Sequence, residues 1–299
     1  MEFATKLINC VGEKRIVLQD ENGPCPLLAI VNCLVLLGSV KLSSEKITAD
    51  ELISIISEYS EAPLEQYRRS LIAGLEVNPV FDGTFEGSTP ELFGFLGLEL
   101  LHAWILTVDS DDALLEASSK LSYNEVMDKM VAKSDEESTI LAMNFIQTHP
   151  AQISVQGIHH LKARLKDGDI CAFFRNNHYS TLIKHNGELF TLITDKGFAS
   201  YNDIVWESVQ IDSSSFYMGS FQPRYDFAKD EEMARKLQEE ENRHSRLQSQ
   251  SNNSTTIPGN RLVETLPDPF SHPDAQVQPP TTTTSRRNAT DKSVCCCVM

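Results

Sequence analysis

The sequence predicts an α+β fold, because segments with helical periodicity dominate the first half of the chain and short β-rich runs come late. The chain has 299 residues, of which 41% are hydrophobic, enough for one large domain with an appendage. Two β-rich runs, 179–184 and 189–194, flank an Asn186-Gly187 turn, the strongest short-range signal for a β-hairpin. We expect the folded domain to span residues 1–224.

Turn and capping signals predict the first elements. Residues 3–17 have the pattern of one or two strands about a turn. Residues 27–37 form an almost unbroken apolar run, as in a buried helix. A second helix is expected after Thr48, because Thr48 and Glu51 have the spacing of a capping box. The amphipathic segment 64–75 predicts a third helix.

The middle of the chain mixes extended and helical patterns. Residues 77–87 carry Gly and Phe and predict a strand with a loop, and residues 98–108 form an extended apolar stretch. Between them, Pro90 has the position of the first helical residue in a short helix. Three later segments have helical spacing: 123–130, 136–149 and 155–165.

Composition and charge argue against several classes of protein. The formal net charge of −16 argues against a nucleic-acid-binding surface, which would need a basic patch. The seven cysteines do not form a secreted disulfide framework and no signal peptide is visible, so we expect a reducing compartment. The longest apolar run, 27–37, is too short to span a bilayer. Outside the C-terminal cluster no cysteine pair has zinc-ligand spacing, so we expect no metal and no cofactor.

Cys25 lies where a polar turn meets the apolar helix. The turn residues 22–24, Asn-Gly-Pro, place it at or near the helix N-terminus. There the helix dipole and the free backbone N–H groups favour a thiolate, which is the nucleophilic form of cysteine. Gln19, six residues upstream, can donate its side-chain amide to a developing oxyanion. Three other cysteines have apolar neighbours and fit a structural role: Cys10, Cys33 and Cys171.

His178 is the predicted partner of Cys25. In a hairpin closed by a two-residue loop, the residue numbers of each cross-strand pair add up to the same value as those of the two loop residues. With Asn186 and Gly187 as the loop, His178 therefore faces Asp195. A carboxylate on the neighbouring strand can orient the imidazole, and Thr194 is the alternative third member. A strand histidine that faces a cysteine at a helix start is the papain-type geometry of cysteine proteases.

These motifs resemble the MINDY family of deubiquitinases. The stretches that carry the resemblance are QDENGPCPLLA (19–29), FFRNNHYST (173–181) and TDKGF (194–198), joined by KLSYN (120–124) and VWES (205–208). Together they cover about residues 3–222 and follow the family's order.

The resemblance implies a papain-like fold variant and a ubiquitin isopeptidase. The family favours long Lys-48-linked polyubiquitin and trims it from the distal end. Matched residue by residue, Cys25 is the nucleophile, His178 the base and Gln19 the oxyanion donor. Four further residues would contact ubiquitin: Val77, Trp104, Tyr123 and Phe174.

Residues 225–248 predict a charged helix with a narrow apolar stripe. The stripe includes Met233, Ala234 and Leu237, and acidic residues surround it. A small alanine at its centre suits a shallow apolar patch ringed by basic groups, and the pattern resembles an inverted ubiquitin-interacting motif. A solvated helix without a partner is the alternative.

Residues 249–299 predict a disordered linker and a lipidated tail, because Ser, Thr, Asn, Gln and Pro dominate them. The last four residues, CCVM, satisfy the prenylation pattern, with Cys296 as the acceptor and a terminal Met that indicates farnesyl. Cys295 is a second candidate, for palmitoylation. We therefore expect a cytoplasmic monomer attached to the cytosolic face of a membrane through its farnesyl group.

Three functions are compatible with these observations. The intact set of Cys25, His178 and Gln19 favours a thiol-dependent deubiquitinase. A non-catalytic, membrane-tethered adaptor that only holds ubiquitin chains is one alternative. A cysteine protease for ordinary peptides is the other, and it would act on unfolded proteins.

Overall fold

The computed structural model describes residues 1–10, 12–20, 23–60, 64–108 and 110–224. These residues form a mixed α+β structure, as expected. The predicted helix at 225–248 and the tail at 249–299 lie outside the described residues. Within the described ranges, no helix combines the length and the apolar character needed to cross a membrane.

The helices and strands of the described residues are as follows. The strands are β1 (Glu2–Asn9), β2 (Glu13–Val17), β3 (Lys46–Thr48), β4 (Asn78–Pro79), β5 (Phe85–Glu86), β6 (Leu100–His102), β7 (Ile170–Arg175), β8 (His178–His185), β9 (Glu188–Leu192), β10 (Trp206–Ser208) and β11 (Phe216–Tyr217). The helices are α1 (Cys25–Leu37), α2 (Ala49–Tyr59), α3 (Leu64–Ala73), α4 (Thr89–Phe95), α5 (Ala113–Ser119), α6 (Tyr123–Val131), α7 (Glu137–Thr148) and α8 (Val155–Arg164).

The main sheet has six strands in the order β11-β10-β9-β8-β7-β6. Its neighbours pair antiparallel except β6 and β7, which are parallel. One face packs against α1 in the larger apolar cluster, to which Tyr179 and Ile183 belong. The other face packs against α8, where Phe173 and Leu182 lie with Leu161. Helices therefore cover the sheet on both sides, and this buries its central strands.

The helix α1 begins at Cys25 and is buried along almost its whole length, as the apolar run predicts. It ends at Gly38, whose φ of 80° lets its N–H group bond back to the last turn. Asn32, the polar residue within the run, is buried because its side-chain amide pairs with both backbone groups of Val17, at 2.8 and 3.0 Å. This pairing fixes the end of β2 to α1, only two residues before Gln19.

The capping box before α2 is confirmed. The Thr48 hydroxyl accepts a hydrogen bond from the Glu51 N–H, and the Glu51 carboxylate accepts one from the Thr48 N–H. The sequence reasoning missed α5, which has seven residues and is too short for a clear helical period. Its local signal is Asp112, whose carboxylate caps the helix by accepting hydrogen bonds from two backbone N–H groups.

Candidate active site

His178 is the first residue of β8 and directly follows a tight turn. Arg175 and His178 are paired across β7 and β8, which leaves Asn176 and Asn177 as a two-residue loop. Both asparagines have positive φ, 52° and 56°, as in a type I′ hairpin turn. Asn176 and Asn177 therefore form a second two-residue hairpin loop, and it fixes where His178 enters the sheet.

The predicted register of the β8–β9 hairpin is confirmed. His185 pairs with Glu188 and Leu182 with Thr191, which is the constant sum expected for a two-residue loop. The ladder ends earlier than predicted, because β9 stops at Leu192. Beyond that point the carbonyl of Thr194 accepts the Gln19 N–H at 2.7 Å. The backbone after β9 therefore pairs with the segment at Gln19.

Asp195 lies beyond the end of β9. Its carboxylate accepts the Gly197 N–H at 2.5 Å and caps a short 3₁₀ turn at Lys196–Phe198. Asp195 is exposed, and within the described part of the chain no hydrogen bond or ion pair joins it to His178. His178, Thr194 and Asp195 nevertheless line one cavity of about 580 Å³. The structure thus brings both candidates for the third site residue to the same cavity as the imidazole.

The electrostatics at His178 come from burial. Desolvation lowers the pKa of His178 below its ordinary value, and no charged group among the described residues opposes that shift. A half-buried imidazole whose pKa is lowered in this way is neutral at pH 7 and can accept a proton. Sequence reasoning did not single out the opposite wall of the cavity, which comes from residues 207–214 and Phe216. The VWES motif at 205–208 was the only signal for it.

The side chain of His178 and helix α1 lie on opposite faces of the sheet at β8. The Thr181 hydroxyl donates to the carbonyl of Ala29 at 3.2 Å, so Thr181 faces α1. Successive side chains of a strand point to opposite faces, so His178 and Ser180 face away from α1 and toward the cavity. Cys25 begins α1 and is fully buried, and it is not among the residues that line the cavity.

Gln19 connects the two halves of the site. Its backbone N–H donates to Thr194, its carbonyl accepts the Lys196 N–H at 3.0 Å, and it forms a parallel bridge with Asp195. Its side-chain Nε2 donates to the carbonyl of Gly23 at 3.4 Å, two residues before Cys25. Gln19 is thus next to the cysteine turn on one side and next to the cavity of His178 on the other.

The other described cysteines, Cys10, Cys33 and Cys171, are buried, and so is Cys25. Burial raises the pKa of the Cys10 thiol to about 11 and that of Cys33 to about 12. Burial also raises the pKa of Cys171 well above its usual value. These three thiols stay protonated at neutral pH and therefore are poor nucleophiles. Among the described residues, no cluster of three His, Cys, Asp or Glu side chains could hold a metal ion.

Comparison with known families identifies the family of this chain. The family model described as MINDY deubiquitinase matches residues 1–221. The chain belongs to the MINDY deubiquitinase family. This match covers every described site residue named above.

Curated relatives of the MINDY family support the assignment. Ubiquitin carboxyl-terminal hydrolase MINDY-1 is 36% identical in Bos taurus and 35% identical in Homo sapiens, in each case over 250 residues. Both alignments cover 73% of this chain and 53% of the relative. Ubiquitin carboxyl-terminal hydrolase MINDY-2 of Mus musculus is 36% identical over 225 residues, covering 65% of this chain and 37% of the relative. The chain therefore spans about half the length of the MINDY-1 relatives.

The MINDY resemblance also marks four residues as ubiquitin contacts. Three of them are buried here, since Val77, Trp104 and Phe174 are exposed by 6%, 3% and 3%. Tyr123, the first residue of α6, is half-buried and packs on Trp104 with 5.7 Å between ring centroids. Of the four, only Tyr123 offers appreciable surface in this structure. The remaining predicted residues lie outside the described part of the chain: Met233, Ala234, Leu237, Cys295 and Cys296.

Proposed function

We propose that this chain is a thiol-dependent deubiquitinase that hydrolyses isopeptide bonds in polyubiquitin. The observation that carries the proposal is the position of Gln19. Its side chain contacts the turn before Cys25, and its backbone pairs with the segment that shares a cavity with His178. Gln19 therefore contacts both the segment before the proposed nucleophile and the segment that lines the cavity of the proposed base, within one MINDY-family domain.

The proposed reaction has two steps. His178 takes the proton of the Cys25 thiol, and the resulting thiolate attacks the carbonyl carbon of the isopeptide bond. The C–N bond then breaks, and His178 passes that proton to the departing lysine amine. The resulting thioester is hydrolysed when His178 removes a proton from the attacking water, which releases the ubiquitin carboxylate and the Cys25 thiol. In both steps the Gln19 amide donates a hydrogen bond to the oxyanion.

This mechanism requires a local rearrangement. Cys25 is fully buried, the His178 side chain faces away from α1, and the Gln19 amide is bonded to the carbonyl of Gly23, so the three groups do not meet at one point in this structure. We propose that ubiquitin binding shifts the turn at Gly23 and Pro24, exposes the thiol and frees the amide. The backbone pairing of Gln19 with Thr194 and Lys196 holds the upstream end of that turn in place.

For the substrate we propose long Lys-48-linked polyubiquitin, trimmed from the distal end, as the MINDY resemblance implies. Tyr123 is the first contact we propose, because it is accessible and lies over Trp104. Residues 225–248 would add a second ubiquitin-binding site that raises the effective concentration of long chains. A chain truncated after Arg224 should then capture long polyubiquitin more weakly, while equal capture would contradict this second site.

We further propose that the C-terminal tail anchors the enzyme to the cytosolic face of a membrane. Cys296 would carry a farnesyl group and Cys295 a palmitoyl group. One prenyl chain alone anchors weakly, so the second acyl chain would make attachment stable. A flexible linker of about forty residues spans roughly 35–40 Å, which leaves the catalytic domain free to reach ubiquitin chains on membrane proteins.

A panel of defined ubiquitin chains tests the proposed activity. We expect the purified chain to cleave long Lys-48-linked polyubiquitin and to react covalently with a ubiquitin vinyl-type probe, and Cys25→Ala to lose both reactions while still folding. Cys10→Ala is the matched control, because its thiol is protonated and lies outside the site. Binding without cleavage or labelling would favour the adaptor, and cleavage of unfolded proteins but not of ubiquitin chains would favour the ordinary protease.

A further inference from the structure

Gln152 lies in the connection between α7 and α8, on a segment fixed to the core. The next two residues are buried: Ile153 forms a parallel bridge with Ala103, and the Ser154 hydroxyl donates to the carbonyl of Ile105 at 2.5 Å. Gln152 itself has a φ of 51°, and its N–H donates to the carbonyl of His149 at 3.0 Å. A left-handed conformation is unfavourable for glutamine, so it persists only where its surroundings hold it.

The side chain of Gln152 holds the turn that precedes His178. Its Nε2 donates to the Oδ1 of Asn177 at 2.9 Å, and its Oε1 accepts the Asn177 N–H at 3.1 Å. Nearby, Nε of Arg175 donates to the carbonyl of Ala151 at 3.2 Å. Three hydrogen bonds from the 151–152 segment thus hold the residues on both sides of Asn176, and the Gln152 amide supplies two of them.

This support matters because, among the described residues, no carboxylate or amide side chain is hydrogen-bonded to the imidazole ring of His178. In the described part of the chain, His178 has neither a hydrogen bond nor an ion pair with Asp195 or Thr194. The direction of its side chain therefore depends on the backbone of β8 and on the φ of 56° at Asn177. In a triad of the usual type, a carboxylate or amide bonded to the histidine ring does this work.

We propose that Gln152 is a positioning residue for His178, acting through its paired amide contact with Asn177. This proposal rests on the proposed function, because it gives His178 the role of the base. Gln152 touches no reacting atom. Its contribution is to hold the two-residue turn closed, so that the imidazole stays in one orientation while the segment around Cys25 rearranges.

The experiment compares Gln152→Ala with Gln152→Glu. Alanine removes both hydrogen bonds, and because a small misplacement of a reacting group is costly, we expect kcat for polyubiquitin cleavage to fall about tenfold or more with KM nearly unchanged. Glutamate still accepts the Asn177 N–H and, after the Asn177 amide rotates, its Nδ2 donor as well. We therefore expect Gln152→Glu to retain most of the wild-type kcat at its own pH optimum. Gln156→Ala is the matched control, since that glutamine is exposed on α8.

A second variant separates positioning from simple stability. Asn177→Gly keeps the N–H group and favours the positive φ, but removes the Oδ1 partner of Gln152. It should lower kcat less than Gln152→Ala does, and the double variant should be no worse than Gln152→Ala alone. The melting temperature of each variant is measured alongside, and a kcat loss that merely follows the loss of folded protein would overturn the proposal.

The variant His178→Ala distinguishes this inference from the proposed function. If it abolishes cleavage while Gln152→Ala has wild-type kcat, the positioning role is wrong and the proposed function stands. If His178→Ala cleaves polyubiquitin at the wild-type rate, the role of His178 in the proposed function is wrong. A tenfold loss in Gln152→Ala, rescued by Gln152→Glu and absent in Gln156→Ala, would support the positioning role.

Discussion

The backbone of Gln19 lies beside that of Asp195 in a parallel β-bridge, although the two residues are far apart in sequence. The bridge ties the segment that leads to Cys25 to the segment after β9. The buried ammonium group of Lys6 supports the same region from β1. It donates hydrogen bonds of 2.8–3.0 Å to three carbonyl groups: those of Phe198, Tyr201 and Ile204. The geometry of the oxyanion donor therefore depends on contacts that the 194–204 segment makes.

Substitution of Gln19 should affect turnover without unfolding the protein. Its bridge to Asp195 uses backbone atoms, so Gln19→Ala keeps that pairing and loses only the side-chain amide. We expect turnover of polyubiquitin to fall roughly 10²-fold or more, the usual loss for one oxyanion donor. Gln19→Glu keeps the size but cannot donate a hydrogen bond, so it should be equally impaired. A loss smaller than about tenfold in single-turnover cleavage would remove Gln19 from this role.

The third site residue can be identified by three variants. If the charge of Asp195 orients His178, both Asp195→Ala and Asp195→Asn should lower turnover with little change in ubiquitin affinity. Asparagine is the informative change, because its Oδ1 can still accept the Gly197 N–H that caps the 3₁₀ turn. Full activity in Asp195→Asn would limit Asp195 to capping. Greater damage in Thr194→Ala would assign the role to Thr194.

His102 should make the folded domain sensitive to mild acid. Burial lowers its pKa to about 4 by desolvating the charged form, and its Nδ1 accepts the Trp104 N–H at 3.2 Å. The unfolded chain binds a proton on this imidazole near the ordinary pKa of 6.5, so stability is lost as the pH falls from 6.5 toward 4. At pH 5 this loss is about 2 kcal/mol relative to pH 7. The free energy of unfolding, measured with urea at pH 7 and pH 5, should show this loss in the wild type but not in His102→Gln. An equal pH dependence in the two proteins would contradict the assignment.

Removal of the Lys6 ammonium group should destabilise the domain. Lys6→Met leaves three inward carbonyl groups without their donor, which we expect to lower the free energy of unfolding by about 2–4 kcal/mol. Lys46→Met is the matched control, because Lys46 makes only an exposed ion pair with Glu2 and should change stability by less than about 1 kcal/mol. Urea denaturation midpoints of the two variants test this. Indistinguishable midpoints would show that Lys6 does not anchor the 198–204 segment.

Membrane attachment should depend on Cys296. With a farnesyl group on this residue, Cys296→Ser should move the protein expressed in a eukaryotic cell from the membrane fraction to the soluble fraction, without changing cleavage of free ubiquitin chains. Cys295→Ser should give only partial release if that residue carries a palmitoyl group. Fractionation and mass spectrometry of the C-terminal peptide measure both effects. A soluble wild-type protein whose C-terminal peptide lacks an isoprenoid would rule out the anchor.

Short-range signals in the sequence were enough for much of the local structure. The Asn-Gly-Pro turn at 22–24 before an apolar run predicted that Cys25 lies at or near a helix N-terminus, and α1 begins at Cys25, two residues before the predicted helix 27–37. The two-residue loop at Asn186-Gly187 predicted the register of β8 against β9, because a loop of fixed length leaves only one pairing. Such features depend on the φ and ψ angles of a few neighbouring residues, and the residue types at those positions restrict these angles directly.

The sequence alone did not determine which distant segments would meet. It predicted β9 as far as Thr194, but the strand ends at Leu192 because Gln19 takes the next backbone partner. It gave no sign that the amide of Gln152 would hold the turn before His178, since no local pattern marks a contact between residues 25 positions apart. Nor did it predict that Cys25 would be fully buried. These features depend on how both faces of the sheet are packed, and that packing is settled only when the whole chain closes around its core.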